Sequence, residues 1–110
     1  MDLQKNVEMA NLFSVYGKLL TNRQQDIFVE YYFNNLSLAE ISEDYNVSRQ
    51  AVLDSLQKSE KQLVYYENTL LFNKKSSQLK ELVNKLESNK ADNNTLIITL
   101  KKMLTEWEEV

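Results

Sequence analysis

The sequence has 110 residues, of which 43% are hydrophobic and 26% are charged, and this length and composition suit one folded domain. Its net charge of −3 does not favour a protein that coats nucleic acid without sequence preference, since such proteins are normally basic. It contains no proline, cysteine or histidine and one glycine. We therefore expect no enzyme, cofactor or metal site, because disulfides, thiolate or imidazole chemistry and glycine-rich phosphate loops are excluded.

Apolar residues at helical spacing predict a first helix over about residues 3–20. Gly17 lies inside this helix, and we expect a neighbouring helix to approach closely there. The near absence of glycine and proline favours an all-α chain. The predicted apolar stripe consists of Leu3, Val7, Met9, Leu12, Phe13, Tyr16, Leu19 and Leu20.

Side-chain caps predict the next three helices. Thr21 begins a capping box and a second helix that ends before Asn34, and Ser37 begins another box and a short third helix. Asn46 follows, and asparagine tolerates the left-handed conformation of a tight turn. Ser48 then caps a fourth helix. The core side chains expected here are Ile27, Phe28, Tyr31, Tyr32, Leu38, Ile41, Val47, Val52 and Leu56.

The second half of the chain is also predicted to be helical. Leu56, Leu63 and Leu70 recur every seven residues, and the polar stretch 73–77 predicts a break. Residues 87–94 predict a loop before a last helix over about 94–108. We divide the chain into a helix-turn-helix domain at 1–70 and a C-terminal helical extension at 71–110. The extension either packs on that domain or pairs with a second copy, and its apolar surface favours a homodimer.

The stretch 37–52 has the pattern of a helix-turn-helix, whose second helix enters the major groove in DNA-binding proteins. Arg49 is suited to bidentate bonds with guanine and Gln50 to the same with adenine. Ser48 caps the helix and lies where a phosphate is favoured. The expected nucleic-acid contact residues are Ser48, Arg49, Gln50, Leu53, Asp54, Gln57, Lys58 and Lys61.

The charge of this stretch leaves a second interpretation open. Residues 37–61 contain five acidic side chains against three basic ones, whereas a nucleic-acid binder normally neutralises several phosphates. In the second interpretation, the same helix docks a protein partner and contacts no nucleic acid. The acidic residues are Glu40, Glu43, Asp44, Asp54 and Glu60, and the basic ones are Arg49, Lys58 and Lys61.

The segment 37–63 resembles, without a gap, the helix-turn-helix of the C-terminal promoter-reading domain of primary sigma factors. Nearly the whole chain is similar to the YlxM-like family of helix-turn-helix proteins, although beyond about residue 72 only the helical character matches. The matching pieces are Leu12-Phe13, Tyr16, Leu19-Leu20-Thr21, Gln24, Tyr31-Tyr32, Ser37-Leu38-Ala39-Glu40-Ile41, Asn46-Val47-Ser48-Arg49-Gln50-Ala51-Val52, Glu60-Lys61 and Leu63.

The resemblance implies an all-helical fold, no enzymatic activity and a regulatory role in the signal recognition particle pathway, since genes of this family lie beside the gene of the particle's GTPase. It implies DNA or RNA and components of that particle as partners, and the GTPase is the partner in the protein-docking interpretation. The chain departs from the family at Leu53, where we expect tyrosine. An aliphatic side chain there favours burial or a contact with a thymine methyl group.

The sequence predicts neither export nor a membrane span. Residues 1–6 have mixed charge and lead into no apolar run of the kind that a signal peptide contains. The apolar run at 95–100 is far too short to cross a bilayer. We therefore expect a cytoplasmic protein without membrane insertion.

Overall fold

The structure, a computed structural model, describes residues 3–88 and 92–109. These residues form six α-helices and one 3-10 turn, and no strand occurs among them, which confirms the predicted all-α class. Two compact units divide the chain, Met1–Asn73 and Lys74–Val110. The elements are α1 (Leu3–Tyr16), the 3-10 turn (Gly17–Leu19), α2 (Asn22–Tyr32), α3 (Leu38–Asp44), α4 (Arg49–Leu70), α5 (Phe72–Glu87) and α6 (Asn93–Glu108).

The predicted capping boxes at the starts of α2 and α3 are confirmed. The Thr21 hydroxyl accepts a hydrogen bond from the backbone N–H of Gln24 at 3.2 Å, and the Gln24 side chain accepts from the backbone N–H of Thr21 at 3.0 Å. Ser37 and Glu40 make the same reciprocal pair, with both distances 3.1 Å. Each box satisfies backbone donors that a helix start otherwise leaves without partners, so these starts follow from local chemistry.

The first unit contains two clusters of buried side chains, and α4 contributes to both. Phe28, which is fully buried, stacks on Phe13 with ring centroids 4.5 Å apart and on Tyr32 at 4.4 Å. Because α4 supplies buried residues to both clusters, it fixes α1, α2 and α3 relative to one another. The first cluster is Met9, Tyr16, Leu20, Phe28 and Leu63, and the second is Ile27, Ile41, Val52 and Leu56.

The first helix is shorter and less buried than the sequence predicts. It ends at Tyr16, and the chain then tightens into the 3-10 turn. Leu19 lies on that turn, whose three-residue repeat carries it away from the helical stripe, and its surface is 57% exposed. Leu3 and Val7 are also exposed. Helical spacing shows which residues share a face, but it does not show how much of that face a neighbouring helix covers.

The expected reason for the single glycine is wrong. A Cβ atom on Gly17 would lie 2.9 Å from two ring carbons of Phe13, which is one turn earlier in the same segment. The closest approach therefore comes from a side chain of α1, since the three nearest atoms all belong to Phe13. Since the Phe13 ring stacks on Phe28, it cannot move aside without disturbing the core.

The break between α4 and α5 falls at Leu71, earlier than the predicted 73–77. Leu71 is left-handed, with φ of 54°, and its N–H donates to the Glu67 carbonyl at 2.8 Å. The Tyr16 hydroxyl donates to the Glu67 carboxylate and accepts from the N–H of Phe72 at 3.0 Å. That carboxylate also accepts from the N–H of Asn73 at 3.1 Å. A residue of α1 thus helps to set this break, which the local polar run cannot reveal.

The second unit has a small core between α5 and α6, formed by Leu82, Leu96 and Met103 with Trp107 partly buried beside them. The Lys75 ammonium lies 5.6 Å from the centre of the Trp107 ring. The predicted loop over 87–94 agrees with the end of α5 at Glu87 and the start of α6 at Asn93, while residues 89–91 lie outside the described residues.

Candidate nucleic-acid interface

Short-range hydrogen bonds close the turn between α3 and α4. Asn46 adopts the predicted left-handed conformation, with φ of 54°. The N–H of Val47 donates to the Ser42 carbonyl at 3.0 Å. The Ser48 hydroxyl caps α4 by accepting from the N–H of Ala51 at 3.0 Å. The two helices and this turn form a helix-turn-helix whose geometry depends on local contacts.

One side of α4 is anchored in the core, so its opposite side faces outward. Val52 and Leu56 are 0% and 2% exposed and pack with Ile27 and Ile41. Side chains three or four residues apart on a helix share a face, and those opposite these anchors are exposed. The residues on the outward side are Gln50, Asp54, Gln57, Lys58 and Lys61.

The structure brings most of the predicted contact residues to one exposed surface at the start and outward side of α4. Leu53 differs, because it is half-buried and lines a hollow with Tyr31 and Tyr32. This position agrees with the burial that its aliphatic side chain favours. The exposed residues are Ser48, Arg49, Gln50, Asp54, Gln57, Lys58 and Lys61, which we call the α4 surface.

A hydrogen bond joins two residues of the α4 surface. The Gln50 amide nitrogen donates to the Asp54 carboxylate at 2.8 Å, one helical turn away. An adenine needs both the donor and the acceptor of a glutamine amide, so this carboxylate competes with adenine for the donor. The carboxylate also repels phosphate, but it is a good acceptor for the amino group of cytosine. If the surface met a nucleic acid, Asp54 would be unfavourable beside phosphates and would favour a cytosine over an adenine.

The acidic excess of the helix-turn-helix sequence is absent from the α4 surface, where three basic side chains outnumber one acidic side chain. Glu60 accepts a hydrogen bond from the Tyr32 hydroxyl and lies 3.7 Å from the Lys5 ammonium, on the side of α4 that faces α1 and α2. Burial, followed by this hydrogen bond, raises the pKa of Tyr32, so the phenol keeps the proton that it donates. Three of the other four acidic residues belong to α3, and Asp54 alone belongs to the α4 surface.

Two residues near this surface are not predicted by the sequence. Arg23, in the first turn of α2, lies 5.5 Å from the centre of the Tyr45 ring and lines a groove with Lys58. Tyr65 is 65% exposed and lines a second groove with Lys58 and Lys61. The spacing of Tyr65, four residues after Lys61, is a signal for a shared face. Arg23 lies beside α4 only through tertiary packing, which spacing does not show.

In residues 3–88 and 92–109, no three or more acidic, histidine or cysteine side chains cluster in a way that suits a metal ion. Across the same described ranges, no helix has the length and apolar character needed to cross a membrane.

Comparison with known proteins gives one family. The sequence pattern of the family described as "Putative helix-turn-helix protein, YlxM / p13 like" matches residues 3–104. A protein of Mycoplasma mycoides is 38% identical over 102 residues, which cover 93% of this chain and 90% of its own. The protein YlxM of Bacillus subtilis strain 168 is 45% identical over 87 residues, 79% of each chain. The similarity therefore extends past α4 and into the second unit, beyond the motifs between Leu12 and Leu63.

Proposed function

Because the chain belongs to the YlxM / p13-like family of helix-turn-helix proteins, we propose that it is a regulatory protein that binds nucleic acid through the α4 surface. One observation carries the proposal: Arg49 and Gln50 are exposed at the start of α4, while Val52 and Leu56 anchor the same helix in the core. A helix held along one side, with polar side chains at its free N-terminal end, is the part of a helix-turn-helix that enters a major groove.

Each residue of the α4 surface has a chemical role in this proposal. Arg49 contacts guanine, and the joined pair of Gln50 and Asp54 contacts an adenine or a cytosine. The N-terminus of α4 binds a phosphate, and Lys58 and Lys61 contact the backbone further along. Duplex DNA is the favoured ligand, because the major groove of duplex RNA is too narrow to admit a helix.

We place this regulatory role in the cytoplasm, in the signal recognition particle pathway that the family resemblance implies. The RNA of the particle is then a second nucleic acid to test beside duplex DNA. The two ligands differ in the structure that a protein recognises. A helix enters the major groove of duplex DNA, whereas RNA is recognised mainly at single-stranded loops and across its minor groove.

Binding of the full chain to labelled duplex DNA and to the particle's RNA, followed at salt concentrations from about 50 to 200 mM, tests the proposal. We expect affinity for the duplex to fall steeply as salt rises. Arg49→Ala is expected to lose about 1–3 kcal/mol of binding to a preferred sequence. Asp54→Asn is expected to gain about 1 kcal/mol, since it removes a negative charge near phosphates.

Lys18→Ala is the control, because Lys18 is an exposed cation on the 3-10 turn, outside the α4 surface. Its affinity should stay close to that of the unchanged chain. Equal losses for Arg49→Ala and Lys18→Ala would show that binding depends on total charge and not on α4. If the chain bound neither the DNA nor the RNA at the lowest salt concentration, nucleic-acid binding would be without support.

A second candidate function is protein docking, for which the exposed Tyr65 is the specific observation. Tyrosine is enriched at protein interfaces, and Tyr65 lines a groove with Lys61 and Gln57. The GTPase of the signal recognition particle is the partner to test in this case. Titration of the purified GTPase should then give binding that Tyr65→Ala abolishes, together with no salt-dependent affinity for DNA or RNA.

A further inference from the structure

We propose that the second unit pairs with a second copy of itself through an open apolar face, giving a homodimer built on a four-helix bundle. The face belongs to α5 and α6, and each of its side chains is between 38% and 52% exposed in the chain. This pairing does not depend on what the α4 surface binds. The residues of the open face are Leu79, Val83 and Leu86 on α5 and Ile97, Leu100 and Leu104 on α6.

The hairpin of α5 and α6 has one polar side and one apolar side. On each helix, the open face repeats at three-, four- and seven-residue intervals, which is the spacing of packed helices in coiled coils and bundles. The other side of the hairpin is a polar groove that both helices line. Its residues are Gln78, Glu81, Leu82, Lys85, Thr99, Lys102, Met103 and Glu106. The apolar residues therefore form one surface and are not scattered around the helices.

The second unit has little core of its own. Among its described residues, three side chains are buried between the helices and Trp107 is partly buried, while the open face has six apolar side chains. Units of fewer than about 40 residues usually need a disulfide, a metal or oligomerisation to be stable. The chain has no cysteine, so a disulfide is excluded. A second copy that covers the open face would supply the apolar burial that this unit lacks.

The open face is complementary to itself about a two-fold axis. Lys75 lies over the Trp107 ring, so the start of α5 lies beside the end of α6 and the two helices run antiparallel. Counted along both helices from this contact, Val83 lies close to the level of Leu100. Val83 is the middle residue of the face on α5, and Leu100 is the middle residue on α6. An axis that passes both positions lays each helix antiparallel on its own copy and brings the six apolar positions together.

Charges beside α5 fit the same arrangement. Lys80 and Glu87 lie on one flank of the open face, one before Val83 and one after it. When α5 lies antiparallel on its copy, Lys80 of one chain meets Glu87 of the second copy, and the contact occurs twice. Within residues 3–88 and 92–109, neither side chain forms a salt bridge. These charges therefore favour the second copy as the occupant.

Cysteine cross-linking tests the pairing directly, because the chain has no cysteine of its own. Val83→Cys and Leu100→Cys, both at the two-fold axis, are expected to link two full chains by a disulfide under mild oxidation. Ile98→Cys is the matched control, since Ile98 is 67% exposed on α6 but lies outside the open face. Equal cross-linking of all three variants, or none at Val83→Cys, would overturn the proposal.

Light scattering and a charge reversal give independent readouts on the full chain. We expect a dimer that dissociates on dilution, a monomer for Val83→Glu and a dimer for Ile98→Glu. Lys80→Glu and Glu87→Lys should each weaken the dimer by roughly two- to tenfold, and the double variant should restore it. A monomer at every concentration, or a double variant no tighter than the single ones, would overturn the proposed arrangement. If Val83→Glu loses helix, the cross-linking result decides.

Discussion

Tyr32 and Glu60 form a hydrogen bond that joins one side of α4 to α2. Glu60 is one of the five acidic residues that argue from the sequence against nucleic-acid binding, yet it is bound to the Tyr32 hydroxyl and the Lys5 ammonium. Burial, and then the hydrogen bond to Glu60, raises the pKa of Tyr32 above its ordinary value. The proton on this phenol therefore contributes to the stability of the first unit.

Stability should fall in alkaline solution because of this phenol. In the unfolded chain Tyr32 loses its proton near pH 10.0, whereas in the folded chain it does so at higher pH. The contribution of Tyr32 is therefore complete below that pH and is lost as pH rises above it. Tyr32→Phe should be less stable at neutral pH but should lose less stability between about pH 9 and 11. Thermal unfolding midpoints across this range check the expectation.

The exposed Tyr65 supplies the control for this pH dependence, since it lacks a comparable burial. Tyr65→Phe should keep the alkaline slope of the unchanged chain. If Tyr32→Phe and the unchanged chain lose stability in parallel, the contact with Glu60 has no such role.

The individual positions that the sequence identifies are those fixed by local pattern. Exposure of Arg49 and Gln50 follows from the caps and from the apolar residues behind them. The contacts of Glu60 are with α1 and α2, and the contact of Arg23 is with Tyr45. These partners are distant in sequence. Helical spacing therefore indicates the α4 surface but not its charge, because the charge depends on which acids are already bound elsewhere.

At the scale of elements, the turn before α4 depends on one left-handed residue. Asn46 has φ of 54°, and this conformation costs most residues about 1–2 kcal/mol but costs glycine and asparagine less. Asn46→Ala should therefore lower the free energy of unfolding by about 1 kcal/mol, while Asn46→Gly should change it by only a few tenths. Urea unfolding followed by circular dichroism measures both.

Asn68→Ala is the control for the Asn46 variants, because Asn68 is exposed within α4. Alanine is the better helix former there, so stability should stay the same or rise slightly. A similar loss for both alanine variants would mean that the left-handed turn is not the cause.

The starts of helices are more predictable than their ends in this chain. Thr21, Ser37 and Ser48 all cap the helices that the sequence assigns to them. By contrast, α4 ends at Leu70, and the left-handed position after it is Leu71, which is neither glycine nor asparagine. That end depends on Tyr16, which the chain brings near only after α1 has packed on α4.

At the scale of the whole molecule, the hydrogen bonds after α4 predict how far the first unit extends. A chain of residues 1–73 should fold alone, because both core clusters lie within it. A chain of residues 1–70 lacks the N–H groups of Phe72 and Asn73 that bind Tyr16 and Glu67. It should be less stable by about 1–2 kcal/mol, as measured by urea unfolding. Equal stability of the two chains would contradict the role of these hydrogen bonds.

The all-α class and the helix-turn-helix could be predicted because both depend on features that are close in sequence. Glycine and proline are almost absent, and apolar spacing and caps lie within a few residues of one another. The exposure of Leu3 and Val7 could not be predicted in this way, since it depends on where the partner of α1 stops. For the proposed function, the preferred base or protein partner depends on chemistry outside this chain, which sequence spacing does not show.

The difference in sequence distance between contacts has a consequence for the order of folding. The turn between α3 and α4 closes through bonds that span three to five residues, whereas Tyr16 and Glu67 are 51 residues apart. Closing a short loop costs less chain entropy and occurs faster than closing a long one. We therefore expect the helix-turn-helix to be a nucleus for folding, with docking of the amino-terminal helix as the later and slower step.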